Sequence, residues 1–130
     1  MPLYEQPQWS VELPEGWHGE REDESTLFRC DGGAGTLAVT LLCDNERVTR
    51  ETLMELASST CEEGHTPSDI QAGAHSGLYF SYQEDETAWR EWYLAAGCCV
   101  FFVSYDCPQG EESKDAAEVD DIVAALTLNQ

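Results

Sequence analysis

Apolar positions along the chain change period three times. Trp9, Val11 and Leu13 alternate with polar residues, the two-residue period of a strand with one buried face, and Pro14-Glu15-Gly16 breaks it as a turn. Residues 17–20 and 26–30 read as short strands around the charged turn Glu22-Asp23-Glu24-Ser25. The turn Asp31-Gly32-Gly33-Ala34-Gly35 leads into residues 37–43, apolar enough throughout to predict a central strand. The period then becomes helical. Thr49 stands as an N-cap after Val48, Leu53, Leu56, Ala57 and Thr60 or Cys61 recur on one face, and Gly64 sits where a glycine ends a helix. One amphipathic helix over residues 49–63 is predicted.

Strand spacing returns after Thr66-Pro67. Residues 70–74 are a weak candidate, and Leu78, Phe80 and Tyr82 share a face over residues 77–83. Glu84-Asp85-Glu86 is a polar turn, residues 87–95 a strand, Ala96-Gly97 a second turn, and residues 98–105 the most apolar strand. Two successive hairpins make an antiparallel meander. A register built on those turns puts Tyr79, Trp92 and Phe101 on one face and Tyr82, Trp89, Val100 and Phe102 on the other. Both faces then need cover. A second helix over residues 113–126 supplies some, with Ala116, Val119, Ile122, Val123 and Leu126 buried and Glu111, Asp115, Glu118 and Asp121 as an opposite acidic stripe. The expectation is one α+β domain over residues 1–130, an antiparallel sheet flanked by helices.

Composition alters this picture in one respect. Leu, Ile, Val and Phe make up only 25 of 130 residues while the formal net charge is -20, a pairing at the border of the disordered class. Four Trp and five Tyr offset it by burying much apolar area each. The acids gather at residues 20–24, 84–86 and 111–121, which makes the charge a segregated surface property of a packed domain. Such a surface repels phosphates, so neither a nucleic acid nor an anionic membrane is an expected partner. It would speed encounter with a basic protein. Plain solubility or adaptation to salt would produce the same surface.

The first residues show neither a basic stretch nor an apolar stretch of a secretory signal, and no run reaches the length of a membrane span, so a cytoplasmic protein is expected. The six cysteines include no C-x-x-C, and Cys43, Cys98 and Cys99 lie in apolar runs; reduced, structural thiols are expected.

The stretch Trp9-Ser10-Val11-Glu12-Leu13-Pro14-Glu15-Gly16-Trp17 resembles the opening of proteins with the Mog1/PsbP-like fold, whose first strand often ends in Pro-x-Gly-Trp. The order of strands, helix, meander and terminal helix is similar too, as are Glu91-Trp92-Tyr93-Leu94 and residues 122–128. The resemblance spans nearly the whole chain and is architectural. It implies an α/β/α sandwich around an antiparallel sheet, in a superfamily that includes a Ran-binding nuclear protein, a photosystem accessory subunit and many small bacterial proteins. Most of those bind other proteins. No functional residue carries over.

Chemistry-bearing constellations are sparse. Cys61 and His65 are four apart, but Gly64 ends the helix between them, so no metal site is expected. Cys107 follows Asp106 in acidic surroundings that weaken a nucleophilic thiol. No G-x-S-x-G or phosphate loop is present, and neither a catalytic residue nor a cofactor is expected. The expectation is a small non-enzymatic binding protein for a basic protein partner, in its most concrete form an immunity protein neutralising a toxin. The contact residues would be Glu84, Asp85, Glu86, Trp89, Tyr93, Glu111, Glu112, Asp115 and Glu118. The alternatives are an accessory subunit of a larger assembly, or a small-molecule binder using a pocket near Trp89 and Tyr93.

Overall fold

The computed structural model describes residues 3–129. Its main sheet has seven strands in the order β3 (Trp17–Glu22), β4 (Ser25–Cys30), β5 (Thr36–Cys43), β9 (Cys99–Pro108), β8 (Thr87–Ala96), β7 (His75–Glu84) and β6 (Ser68–Ala72), every pair antiparallel. A small second sheet joins β1 (Leu3–Glu5), β2 (Trp9–Glu12) and β10 (Thr127–Leu128). The helices are α1 (Arg50–Leu56), α2 (Ser58–Glu62) and α3 (Glu112–Ala125). The architecture is therefore α+β and mostly antiparallel sheet.

The alternating patterns decide which residues meet. Tyr79 pairs with Trp92 and Trp92 with Val103, so Tyr79, Trp92, Phe101 and Val103 face α3. Tyr82 pairs with Trp89, and with Tyr93, Val100 and Phe102 they face α1 and α2. The two faces expected from the turns are the faces found, although the β8–β9 pairing is shifted from the one expected. The α3 face carries the larger core, where Trp92, Phe101, Leu37 and Val103 pack beneath Val119, Ile122 and Val123 and beneath Trp9 and Val11 of the small sheet. The opposite face holds a smaller core of Leu53, Ala57, Leu78, Phe80, Tyr93 and Val100. It is half covered. Where β3, β4 and β5 continue the sheet past α1 and α2, Arg29, Thr36 and Leu42 stay accessible, Leu42 at 40%. The sandwich is thus complete on one side only.

Several expectations need correction. The predicted helix over residues 49–63 is two helices. Thr49 and Thr52 form the N-terminal box and Glu63 with Gly64 ends the second, but Ala57, at φ -88 and ψ 5, breaks the run between them. The two short terminal strands, β1 and β10, lack the length for a readable period. The second meander turn is Gly97-Cys98, so β9 begins at Cys99, which stands opposite Cys43 on β5. The two are joined as a disulfide, not reduced thiols. Asp115, placed on the acidic stripe of α3, is 2% exposed and belongs to the interior.

Candidate functional site

The β7–β8 hairpin closes on Asp85-Glu86, both with left-handed backbone (φ 52 and 67). This is the geometry of a two-residue turn that suits the twist of its strands and normally selects Asn and Gly. Left-handed backbone costs a residue with a Cβ about 1–2 kcal/mol. The backbone N–H of Gln109 donates to the Glu86 carbonyl at 2.9 Å, and the Gln109 side chain donates to Gln83 at 2.7 Å. These bonds fix the start of α3 against the turn. Glu84, Asp85 and Glu86 therefore share one end of the sheet with Glu111 and Glu112. Lys114 sits there too, but it is paired to Glu111 at 2.6 Å. Glu112 is drawn back to accept from the backbone N–H of Gly110.

Trp89 lies behind the turn, half-exposed, its ring near-parallel to Tyr82 with centroids 6.5 Å apart. Asp106 stands opposite Trp89 on β9, and burial raises its carboxyl above the usual range while Arg29 pulls it down. The end of the sheet thus combines an aromatic plane with a rim of carboxylates, the arrangement of a protein interface with an apolar centre and polar edge.

Three residues expected at this surface are elsewhere. Tyr93 is 7% exposed, packed beneath α1 and α2 with Phe80 and Val100. Trp89 instead lines an open groove with Tyr79, Tyr82 and Arg90. Asp115 accepts from the backbone N–H groups of Ala34 and Gly35 at 3.0 and 3.1 Å and from the Tyr105 hydroxyl at 2.7 Å. It pins the glycine-rich β4–β5 turn to α3. Glu118 accepts from Trp17 Nε1 at 3.1 Å, a half-buried structural bond. Cys107 is buried, and burial pushes its thiol up.

The pattern of charges in the sequence hid two features. Glu91 is 8% exposed and accepts from Tyr82 at 2.6 Å, Thr60 at 3.2 Å and Tyr93 at 3.5 Å, with no cation beside it among the described residues. The other is a group at the α2–β6 loop. Glu63, His65 and Glu84 bring one ligand atom each to within 4.8 Å of one another, and Cys61 does not join them. Cys61 and His65, four apart in sequence, do not come together, because Gly64, at φ +98, turns the chain between them.

No family of known proteins and no curated protein matches the chain by sequence. Solved structures do match. A crystal structure from Bacteroides thetaiotaomicron VPI-5482 aligns at 18% identity with a TM-score of 0.76, over 98% of this chain and 48% of that one. The chain thus spans about half the length of that protein. LpqN of Mycobacterium tuberculosis, described as involved in cell envelope biogenesis, aligns at 14% identity with a TM-score of 0.54, over 96% of this chain and 87% of that one. These are likenesses of fold. The solution structure of cyanobacterial PsbP from Synechocystis sp. PCC 6803 also matches, at 12% identity and a TM-score of 0.46, over 98% of this chain and 92% of that one.

Proposed function

We propose that this protein is a non-enzymatic binding domain that captures a basic protein partner at the acidic end of its main sheet. The supporting observation is the juxtaposition of two acidic segments distant in sequence, Glu84-Asp85-Glu86 and Glu111-Glu112, through the Gln109 to Glu86 backbone bond. Trp89 supplies an apolar centre beside them. Among the described residues, Arg50 and Arg90 are engaged with Asp69 and Asp120 rather than with the carboxylates of this end, while Lys114 pairs with Glu111 within it. The most concrete form of the reading is an immunity protein whose partner is a basic toxin. No helix among the described residues is long and apolar enough to cross a membrane. The Cys43–Cys99 bond favours an oxidising compartment over the cytoplasm expected from sequence.

A second reading, an accessory subunit of a larger assembly, draws on the uncovered half of the sheet around Arg29, Thr36 and Leu42. One experiment separates the two. The product of the neighbouring gene, or a basic protein recovered from the native host, is titrated against the wild type and against Glu84→Lys/Asp85→Lys/Glu86→Lys. Capture at the acidic end predicts association that slows steeply with salt and with charge reversal, while dissociation changes little. Binding insensitive to both, but lost on Thr36→Arg or Leu42→Asp, would favour the assembly surface.

A further inference from the structure

We infer that Glu63, His65 and Glu84 form a binding site for a transition-series divalent cation of the zinc class. This goes beyond the partner reading and does not depend on it. Glu63 caps the C-terminus of α2, Gly64 reverses the chain, and His65 is returned by a bond from its backbone N–H to the Thr60 carbonyl. Glu84 approaches from the end of β7. The imidazole is fixed in plane: it stacks on Tyr82 with centroids 3.9 Å apart and planes 15° apart. Tyr82 is itself tied down through its hydroxyl to buried Glu91.

The three ligand atoms converge within 4.8 Å, yet His65 forms no ion pair with either carboxylate, and none of the three side chains has a hydrogen-bond partner among the described residues. Two carboxylates and a half-buried imidazole therefore bring their donor atoms together without pairing to one another. A cation bound at about 2.0–2.2 Å from oxygen and nitrogen donors fits between them after small rotations of the two exposed glutamates. The imidazole nitrogen selects against magnesium and calcium, which take oxygen donors, and for zinc and its neighbours. Three protein ligands leave at least one coordination position open. Bound there, the ion would tie the α2–β6 loop to the β7–β8 hairpin.

The test is a calorimetric titration of the oxidised full chain with zinc chloride, in excess magnesium to occupy the diffuse acidic surface. One equivalent of zinc is expected, with the His65 ring resonances shifting as it binds. His65→Ala and Glu84→Gln should each weaken binding by about tenfold or more, since loss of even the groups behind a metal ligand costs that much. Cys61→Ser and Asp121→Asn should leave it unchanged. Zinc uptake no greater than the magnesium background would overturn the site, as would uptake that survives His65→Ala. Glu84 belongs to both surfaces, so His65→Ala separates the two readings: zinc uptake lost with partner binding kept supports the cation site, and zinc uptake kept overturns it whatever the partner does.

Discussion

Arg90 and Glu91 are neighbours on β8 and point to opposite faces of the same sheet. On the α3 side, the Arg90 guanidinium lies over Tyr79 and Trp92, 5.3 and 4.6 Å from their ring centroids, donates to Tyr79 at 2.7 Å and pairs with Asp120 at 2.6 Å. Burial pulls its affinity for a proton down, but the bonds to Asp120 and Tyr79 more than offset that. On the α1–α2 side, Glu91 sits among three hydroxyls with no cation beside it among the described residues. One face matches charge with charge under a full cover of helix and small sheet. The other keeps an anion, holds it with neutral donors, and ends in accessible strands and an acidic rim. The first face is closed; the second stays partly open.

That contrast breaks most visibly in the larger core. Trp92→Ala should cost about 3–5 kcal/mol, the usual range for truncating a buried aromatic. Leu53→Ala on the other face should fall at the lower end of its class, about 2–3 kcal/mol, because seven-residue α1 can settle into the space. Urea denaturation of both variants, with unchanged slope, measures the difference; equal losses would mean that the two faces are equally rigid.

Asp115→Ala should come next. It leaves two backbone N–H groups and the Tyr105 hydroxyl without their acceptor in a buried place, about 3 kcal/mol for the set. Glu91→Ala removes the acceptor of three hydroxyls at a less enclosed place, and about 2 kcal/mol is expected. Asp115→Asn should recover part of the loss because it retains a carbonyl acceptor, whereas Asp115→Leu should not.

The tyrosines on both faces give the contrast a pH dependence. Burial, then the bond to Asp115, raises the Tyr105 hydroxyl; burial, then the bond to Glu91, raises that of Tyr82. An acid whose folded pKa is raised contributes stability that is present below its unfolded value, about 10 for tyrosine, and is lost as pH rises towards the folded value. The melting temperature should therefore fall above about pH 10, and Tyr82→Phe with Tyr105→Phe should flatten the fall. An unchanged alkaline limb in the double variant would show that these hydroxyls are not the groups responsible.

Much of the fold could be read in the chain because strand and helix periods come from local alternation. The meander over β7, β8 and β9 was legible down to the faces taken by Tyr79, Trp92 and Phe101 on one side and Phe80, Tyr82, Trp89 and Phe102 on the other. What escaped depended on distant partners. Asp115 lies at a polar position of its helix pattern, and only the glycine-rich β4–β5 turn, some 80 residues earlier, explains its burial. Cys43 and Cys99 look like apolar fillers until β5 and β9 pair and set these residues, 56 apart in sequence, opposite each other. The acidic surface was legible as composition, but the meeting of Glu84, Asp85 and Glu86 with Glu111 and Glu112 comes from the Gln109 to Glu86 bond, and the link of Glu63 and His65 to Glu84 from the reversal at Gly64.

The smallest expected effect tests whether the binding end sacrifices stability. Asp85 and Glu86 hold left-handed backbone that Asn and Gly adopt more cheaply. The double change Asp85→Asn/Glu86→Gly keeps the turn, relieves strain and removes two acids from a chain of net charge -20. It should stabilise the fold by about 1 kcal/mol, with part of the gain vanishing at high salt because reduced self-repulsion is screened. If the acids serve capture, the same variant should associate with its basic partner more slowly at low salt, the two curves converging as salt rises. A variant both more stable and equally fast would make Asp85 and Glu86 ordinary turn residues and move the capture surface to Glu111 and Glu112.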